Sequence, residues 1–362
     1  MGQRGLVSGV LLAWFGLCAG CVTTPRVSAP LTANAPIEVK VVVVTMFEIG
    51  ADAGDTAGEF QLWHERQKLD TRLPFAHHHD LYFNASTGVL GMVTGEGTAN
   101  SATAVMELGM DPRFDLSHAY WLVAGIAGVD PADASIGSAA WAEYLVDGDL
   151  AHEIDAREMP ADWPTGYFAR GTRKPYDPKK PEPTGEMFRL NPALTEWAFQ
   201  MTRNVELADS EALRKERMTF TGFPNAQKPP FVLKGDTLSG MTFWHGKLLN
   251  EWAERWVSYW TEGKGNFVTS AMEDTGTYQA LTYLHPTGKV NKDRVMVLRT
   301  ASNYTTQPPG GMTAAEHLLR ENEGYAGLNA SVEAAYRVGS VVVDELVQHW
   351  ARYRDRTPPY DK

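Results

Sequence analysis

A methionine–glutamate pair at positions 272 and 273 is the segment whose residue types most directly suggest chemistry. An ionised glutamate accepts hydrogen bonds through both of its oxygens, so Glu273 could hold two neighbouring hydroxyl groups of a sugar. The thioether of Met272 could pack against the apolar face of the same sugar ring. Alternatively, Glu273 is only an acidic residue at the start of a helix, where it suits the helix dipole.

A second polar segment, Arg299-Thr-Ala-Ser-Asn303, follows about thirty residues later at the end of a predicted strand. The side-chain amide of Asn303 could stabilise negative charge on a leaving group without giving up a proton. Alternatively, Asn303 opens a turn before the two prolines that follow it.

A Gly-Glu-Gly turn follows another predicted strand and precedes a predicted helix. Gly95 and Gly97 would let backbone N–H groups approach a ligand. The carboxylate of Glu96 suits a sugar hydroxyl or an activated water better than a phosphate, which it would repel. Gly125 lies in a similar glycine-containing stretch. For both stretches the alternative is tight packing of a helix against a strand.

Alternating strand and helix patterns must position these segments. A β-branched run predicts a central strand at Val39–Met46, and a continuous apolar run predicts a buried strand at Tyr120–Ala127. A further strand is predicted at Val295–Ala301. Helical spacing of apolar residues predicts helices at Thr98–Gly109, Asn191–Lys215, Lys247–Tyr259, Met272–Leu284 and Ala330–Tyr353. This alternation predicts one α/β domain over residues 37–356, with three layers in the order α/β/α and a central mixed sheet.

The N-terminus has the pattern of a targeting segment. Arg4 precedes a short apolar run, and small residues precede Cys21. This pattern predicts a lipoprotein signal peptide over residues 1–20, a lipidated Cys21 and a flexible tether over residues 21–36. We therefore expect a lipid-anchored protein of the cell envelope that faces the periplasm, on the outer membrane if the cell is Gram-negative. The alternatives are a plain signal peptide or an uncleaved anchor.

Composition excludes several classes of function. The net charge of −11 and the lack of a basic cluster argue against nucleic acid as a partner. Beyond the signal, the chain lacks the run of about 20 apolar residues that a spanning helix needs, so it is not itself a helical channel. The consecutive residues His77, His78 and His79 would point in different directions on a strand, so no metal site is expected.

From Val39 to about Trp350 the sequence resembles the purine nucleoside permease family, which is related to the nucleoside phosphorylases and nucleosidases. Met272-Glu273 and Asn303 carry the resemblance, together with the segment from Asp236 to Trp244. It implies a nucleoside phosphorylase-like fold in which Met272 and Glu273 bind ribose. Either Phe243 or Trp244 would then lie against the purine base, although ordinary core packing is the commoner role of such aromatics.

Nucleosidases hold their nucleophilic water with a carboxylate from the loop after the first strand. In this chain that loop offers Glu48, Asp52, Asp55 and Glu59. Glu48 is the candidate because it lies nearest the end of the strand, and Glu96 is a second candidate. The alternative is a solvated acidic loop.

The resemblance also indicates whether phosphate or water would attack the glycosidic bond. Phosphorylases carry a phosphate-binding arginine before a glycine-containing turn, whereas apolar residues precede Gly125 in this chain. Phosphate without a cationic partner is costly to bind, so the sequence favours hydrolysis over phosphorolysis. The amide of Asn303 favours inosine or guanosine over adenosine. No cofactor is expected, and the related enzymes suggest a homo-oligomer.

Two rival interpretations stay open. The first is a non-catalytic protein that delivers nucleosides to a separate transporter, which needs the same pocket without an activated water. The second is a structural lipoprotein with a vestigial site, which would bind no nucleoside.

Overall fold

The computed structural model describes residues 35–322 and 324–358. The signal peptide, Cys21 and nearly all of the tether lie outside the described residues, so these assignments stay predictions. Within the described ranges, we find no helix with both the length and the apolar character that a membrane crossing requires.

The described chain alternates between strands and helices. The helices are α1 (Gln61–Arg66), α2 (Thr98–Met110), α3 (Pro192–Thr202), α4 (Glu211–Arg217), α5 (Lys247–Thr261), α6 (Asp274–Leu284), α7 (Ala314–Glu321), α8 (Leu328–Gln348) and α9 (Trp350–Tyr353). The strands are β1 (Ile37–Glu38), β2 (Val41–Thr45), β3 (Thr71–Leu73), β4 (Leu81–Asn84), β5 (Val89–Val93), β6 (Phe114–Asp115), β7 (Tyr120–Val129), β8 (Ala139–Ala142), β9 (Tyr144–Asp147), β10 (His152–Glu153), β11 (Tyr167–Phe168), β12 (Met187–Arg189), β13 (Val232–Lys234), β14 (Asp236–Ser239), β15 (Phe267–Ala271) and β16 (Val295–Tyr304).

A twelve-stranded sheet forms the centre of the described chain. Its main path runs β12-β9-β14-β15-β7-β2-β5-β4-β3, while β16 pairs with β7 and β8, and β13 pairs with β8. The pairs β2–β7 and β7–β16 are parallel, whereas β7–β15 and β8–β16 are antiparallel. The sheet is therefore mixed, as the sequence predicts.

The sheet is covered on both faces. Successive side chains of a strand point to opposite faces, and β2 shows this directly. Val42 and Val44 belong to a core cluster that includes α2 and α6, whereas Val41 and Val43 belong to a second cluster that includes α3 and α8. The three-layer α/β/α architecture is thus confirmed. It explains why β2 is apolar at consecutive positions rather than at alternate ones.

Strand pairing brings distant parts of the chain together near the carboxyl ends of β7, β15 and β16. Ser270 of β15 pairs with Gly128 of β7, and Gly128 pairs with Asn303 of β16. Three residues earlier in β7, Gly125 pairs with Arg299 of β16. The segments that the sequence singled out therefore meet in space.

Two predicted helices are each divided in the structure. The helix predicted over Ala330–Tyr353 is interrupted at His349, between α8 and α9. The helix predicted over Asn191–Lys215 is two helices, α3 and α4, separated by residues 203–210. Ser210 begins the second helix, because its side-chain oxygen accepts a hydrogen bond from the backbone N–H of Leu213. The serine cap was visible in the sequence, but the apolar spacing on both sides of it concealed the break.

Candidate functional site

A cavity of about 420 Å³ opens near the carboxyl ends of β7, β15 and β16. That volume is within the range of small-molecule sites. Its walls come from the segment after β2, from β7, β15 and β16, and from the chain after α7. The polar side chains that line it are Glu59, Glu96, Ser270, Glu273, Arg299, Ser302, Asn303, Glu321, Asn322 and Tyr325.

A buried guanidinium organises the floor of the cavity. The side chain of Arg299 is 2% exposed, and its Nη2 donates to Glu273 Oε2 at 2.8 Å and to Asp274 Oδ1 at 2.6 Å. Its Nη1 donates to the carbonyl oxygen of Ile126 at 3.1 Å. Burial alone would lower the pKa of Arg299, but the charges of Asp274 and Glu273 outweigh it and raise that pKa. The arginine stays charged and holds both carboxylates in place.

Glu273 is fixed from two sides. One carboxylate oxygen accepts from Arg299, and the other accepts from the backbone N–H of Gly97 at 3.0 Å. Burial raises the pKa of Glu273, and the positive charge of Arg299 opposes that rise. Each carboxylate oxygen keeps a lone pair, so Glu273 can still accept hydrogen bonds from a ligand in the cavity.

Glu59 is a second buried carboxylate in the same cavity. Its Oε2 accepts from the backbone N–H of Met46 at 2.8 Å, and its Oε1 accepts from that of Ile126 at 2.7 Å. Burial raises the pKa of Glu59 to about 8; the charge of Arg299 opposes the rise and that of Glu273 adds to it. A rigidly held carboxylate with a pKa near neutrality has the properties of a general base.

Glu48, the residue that the sequence favoured for this role, does not line the cavity. Its carboxylate accepts from the backbone N–H groups of Ile49, Gly58, Phe60 and Gln61. These bonds fold residues 48–61 back on themselves. The structure therefore places Glu48 in the loop that delivers Glu59 to the cavity, and Glu59 is the carboxylate of this loop that reaches it.

Asn303 and Glu321 lie side by side at the other end of the cavity. The amide oxygen of Asn303 accepts from the hydroxyl of Ser302 at 2.9 Å, and its amide nitrogen donates to the carbonyl oxygen of Tyr304 at 3.3 Å. Asn303 is 5% exposed, and both Asn303 and Glu321 line the cavity. An oriented amide and a carboxyl group thus face the cavity together.

Two aromatic rings complete the cavity. Phe243 and Tyr325 line it with nearly parallel rings, at 17° and with centroids 6.5 Å apart. Trp244, in contrast, packs against Trp252 and Phe267 and lines a different cavity. The expected aromatic contact with a ligand therefore falls to Phe243, since Trp244 points away.

Comparison with known proteins assigns the family. The family model described as purine nucleoside permease matches residues 38–358. The chain is 30% identical over 289 residues to the purine nucleoside permease of Candida albicans, covering 78% of this chain and 69% of that one. It is 29% identical over 280 residues to a probable purine nucleoside permease of Schizosaccharomyces pombe, covering 75% of this chain and 79% of that one.

This chain belongs to the purine nucleoside permease family. Among solved structures, it resembles the 5′-methylthioadenosine/S-adenosylhomocysteine nucleosidase of Helicobacter pylori, with a TM-score of 0.50 and 16% identity over 86% of this chain and all of that one. At that identity the likeness shows a common fold. The resemblance inferred from the sequence is confirmed.

In this permease-family chain, five of the ten predicted catalytic and substrate-binding residues line one cavity. Glu96, Phe243, Met272, Glu273 and Asn303 line it.

The glycines of the predicted site act beneath the cavity rather than in its lining. Gly95 and Gly97 adopt positive φ angles of 82° and 91°, which favour glycine, and the N–H of Gly97 holds Glu273. A Cβ on Gly125 would meet the ends of Met46, Arg299 and Glu59, so only glycine leaves space for this charged cluster.

The histidine run makes contacts of its own outside the cavity. His79 Nε2 lies 2.7 Å from Asp52 Oδ1, and His78 Nε2 lies 3.3 Å from Glu107. The two side chains thus have separate partners, which agrees with divergent directions.

Proposed function

We propose that this protein binds a purine nucleoside and hydrolyses its N-glycosidic bond. The observation that carries the proposal is the convergence of Glu273, Glu59 and Asn303 on one cavity of nucleoside size. Each of the three is held by backbone or buried side-chain hydrogen bonds. Such preorganised groups can stabilise a transition state without reorganising during the reaction.

Glu273 would bind the ribose. Its two oxygens are set by Gly97 and Arg299, so its remaining lone pairs point in fixed directions toward a pair of hydroxyl groups. Met272 would supply the apolar contact beside it. Two carboxylates near the sugar would also favour the positive charge that develops on the ring as the bond breaks.

Glu59 would activate the attacking water. A base with a pKa near 8 retains enough basicity to take a proton and is partly ionised at neutral pH. Glu96, which also lines the cavity, is the second candidate for contact with the water or a sugar hydroxyl.

Charge in the cavity argues against phosphate as the nucleophile. Among the described residues that line it, Arg299 is the one cationic side chain, and two carboxylates already bind it. A phosphate dianion would lie near Glu59 and Glu273 without a cation of its own, which is unfavourable. Binding a neutral water molecule at the same place brings no such charge repulsion.

The base would lie at the Asn303 end. Phe243 and Tyr325 offer aromatic faces for stacking, which contributes about 1–3 kcal/mol per base. The Asn303 amide can hydrogen-bond a 6-oxopurine, so inosine and guanosine are the proposed substrates ahead of adenosine.

The second candidate function is a non-catalytic accessory of nucleoside uptake. The names of the fungal relatives favour it. In this case the protein would bind nucleosides in the same cavity and deliver them to a separate transporter.

For either function we propose a lipid anchor at Cys21 and a location in the cell envelope facing the periplasm. A homo-oligomer is likewise proposed, by analogy with the related enzymes.

Glu273→Gln should weaken inosine binding by about 10²-fold, because it removes a charged acceptor that serves two hydroxyls. Isothermal titration with inosine, guanosine and adenosine measures binding, and chromatography of the free base measures cleavage. Glu211→Gln, at a side chain 87% exposed on α4, is the matched control. Tight binding of inosine by the wild-type protein with no base released would exclude hydrolysis and leave the accessory function. No binding would contradict both.

A further inference from the structure

Three polar side chains meet where α7 packs against residues 240–246, the segment that follows β14. His317 and Glu321 lie one helical turn apart on α7, so they share one face of that helix. The side chains of His245 and His317 are 1% and 0% exposed, and that of Glu321 is 11% exposed. His245 precedes His317 by 72 residues, so sequence spacing alone does not reveal the cluster.

Two buried polar atoms in this cluster face each other without a hydrogen-bond partner among the described residues. They are His245 Nδ1 and Glu321 Oε2, which lie 3.7 Å apart. The Nδ1 atom of His317 lies 3.8 Å from the same carboxylate oxygen. Both distances are too long for hydrogen bonds. A buried polar atom without a partner costs free energy, so the arrangement indicates a further group between these side chains.

The three side chains are close enough to bind one metal ion. One nitrogen of each imidazole and one oxygen of Glu321 lie within 4.8 Å of one another. Ligand atoms around a tetrahedral zinc ion are about 3.3 Å apart, because each lies about 2.0–2.1 Å from the ion. The two Nδ1 atoms would thus approach Glu321 Oε2 by about 0.5 Å. The imidazoles, now hydrogen-bonded to each other at 3.0 Å, would exchange that bond for bonds to the ion.

The outer contacts of the cluster also suit a metal site. A metal-bound histidine usually directs its other ring nitrogen at a carboxylate. The second ring nitrogen of His317, Nε2, lies 3.7 Å from Glu216 Oε1, and Arg320 Nη2 donates to that oxygen at 2.9 Å. A small cavity of about 50 Å³ adjoins Glu216 and Glu321. It has room for a water molecule, which could complete the coordination of the ion.

We propose that His245, His317 and Glu321 bind one divalent transition-metal ion, with Zn²⁺ as the best match. Two imidazoles and one carboxylate are a known zinc donor set, whereas Mg²⁺ prefers oxygen ligands. The ion would join α7 to residues 240–246. The chain after α7 carries Tyr325 and the other segment carries Phe243, so the ion would fix the two aromatic rings of the large cavity relative to each other.

Titration of the full-length protein with ZnCl₂ after removal of metal by EDTA and dialysis tests the proposal. The wild-type protein should bind one Zn²⁺ per chain at high affinity, and MgCl₂ should not compete. His317→Gln removes one ligand and should weaken zinc binding by more than about 10²-fold, since even the outer contacts of a metal ligand contribute about 10–100-fold. His349→Gln is the matched control, because His349 also pairs with a glutamate four residues away but is 54% exposed.

Thermal unfolding separates loss of the site from loss of the fold. In EDTA, wild-type protein and His317→Gln should both unfold cooperatively. Zn²⁺ should then raise the melting temperature of the wild-type protein and of His349→Gln, and leave that of His317→Gln unchanged. If His317→Gln does not fold, Glu321→Gln removes a different ligand with little change of shape and repeats the test.

Equal zinc affinities for the wild-type protein and His317→Gln would place the ion elsewhere and overturn the proposal. Absence of zinc binding by the wild-type protein would also overturn it, and would leave the two imidazoles as a hydrogen-bonded pair in the core. Zinc binding is measured without nucleoside, so it does not depend on the proposed function. A protein that binds zinc at these residues but neither binds nor cleaves inosine would support the metal site and contradict that function.

Discussion

Glu59→Gln should reduce the rate of inosine hydrolysis by about 10²–10⁴-fold, the usual contribution of a positioned general base. Glutamine occupies the same space but cannot accept a proton from water. Binding of inosine should change little, because Glu273, Phe243 and Asn303 remain. Single-turnover base release measures the chemical step, and titration with inosine measures binding. A variant that keeps its rate would move the role of base to Glu96.

The same substitution should change how stability depends on pH. The pKa of Glu59 is about 8 in the folded protein against 4.5 as the reference value. Between these values the folded state holds a proton that the unfolded state has lost, so stability falls as pH rises from about 4.5 to about 8. Glutamine does not titrate, so the variant should lose less stability than the wild-type protein between pH 5 and pH 8. Urea unfolding at both pH values measures the difference.

Arg299→Met should destabilise the fold more than any other single change at the site. It removes the cation that Glu273 and Asp274 share, and leaves them buried beside Glu59. Breaking a buried ion pair in this way costs about 3–5 kcal/mol. Denaturant unfolding measures the loss of stability.

The matched control is Arg157→Met. The Arg157 side chain is 88% exposed and pairs with Asp155. Removing an exposed pair of this kind should cost at most about 1 kcal/mol. Arg299→Lys keeps a charge but cannot bridge both carboxylates, so its stability should fall between those of Arg299→Met and the wild-type protein. Equal stabilities for Arg299→Met and Arg157→Met would contradict the assigned role of this cluster.

Much of the fold could be predicted because a run of consecutive apolar residues indicates a strand that is buried on both faces. The runs that became β2, β7 and the first four residues of β16 are apolar at consecutive positions, as is typical of strands covered on both faces. Helix ends were less predictable. The break between α3 and α4 depends on one serine cap, whose local effect is small beside the apolar spacing around it.

The part of the site formed by Met272 and Glu273 could be predicted because these residues are adjacent in sequence and belong to a recognisable motif. Glu59 could not be chosen over Glu48 in the same way. Glu59 lies further from the strand end along the chain, and four backbone hydrogen bonds to Glu48 fold the loop so that Glu59 reaches the cavity. The position of a residue along the chain does not reveal how hydrogen bonds fold the loop that carries it.

Arg299 was missed although the sequence offered a signal. A guanidinium in the middle of an apolar strand must find buried partners, and the acidic pair at positions 273 and 274 was available. Glu321 and Tyr325 gave no comparable signal, because the segment that carries them returns over the cavity only in the folded chain.

The most direct test of the central claim is to identify the sugar released from inosine in phosphate-free buffer and in phosphate. We predict free ribose and hypoxanthine in equal amounts, at a rate that phosphate does not change. Ribose 1-phosphate as the product, or release of hypoxanthine only when phosphate is present, would contradict hydrolysis and the role assigned to the cavity's charge.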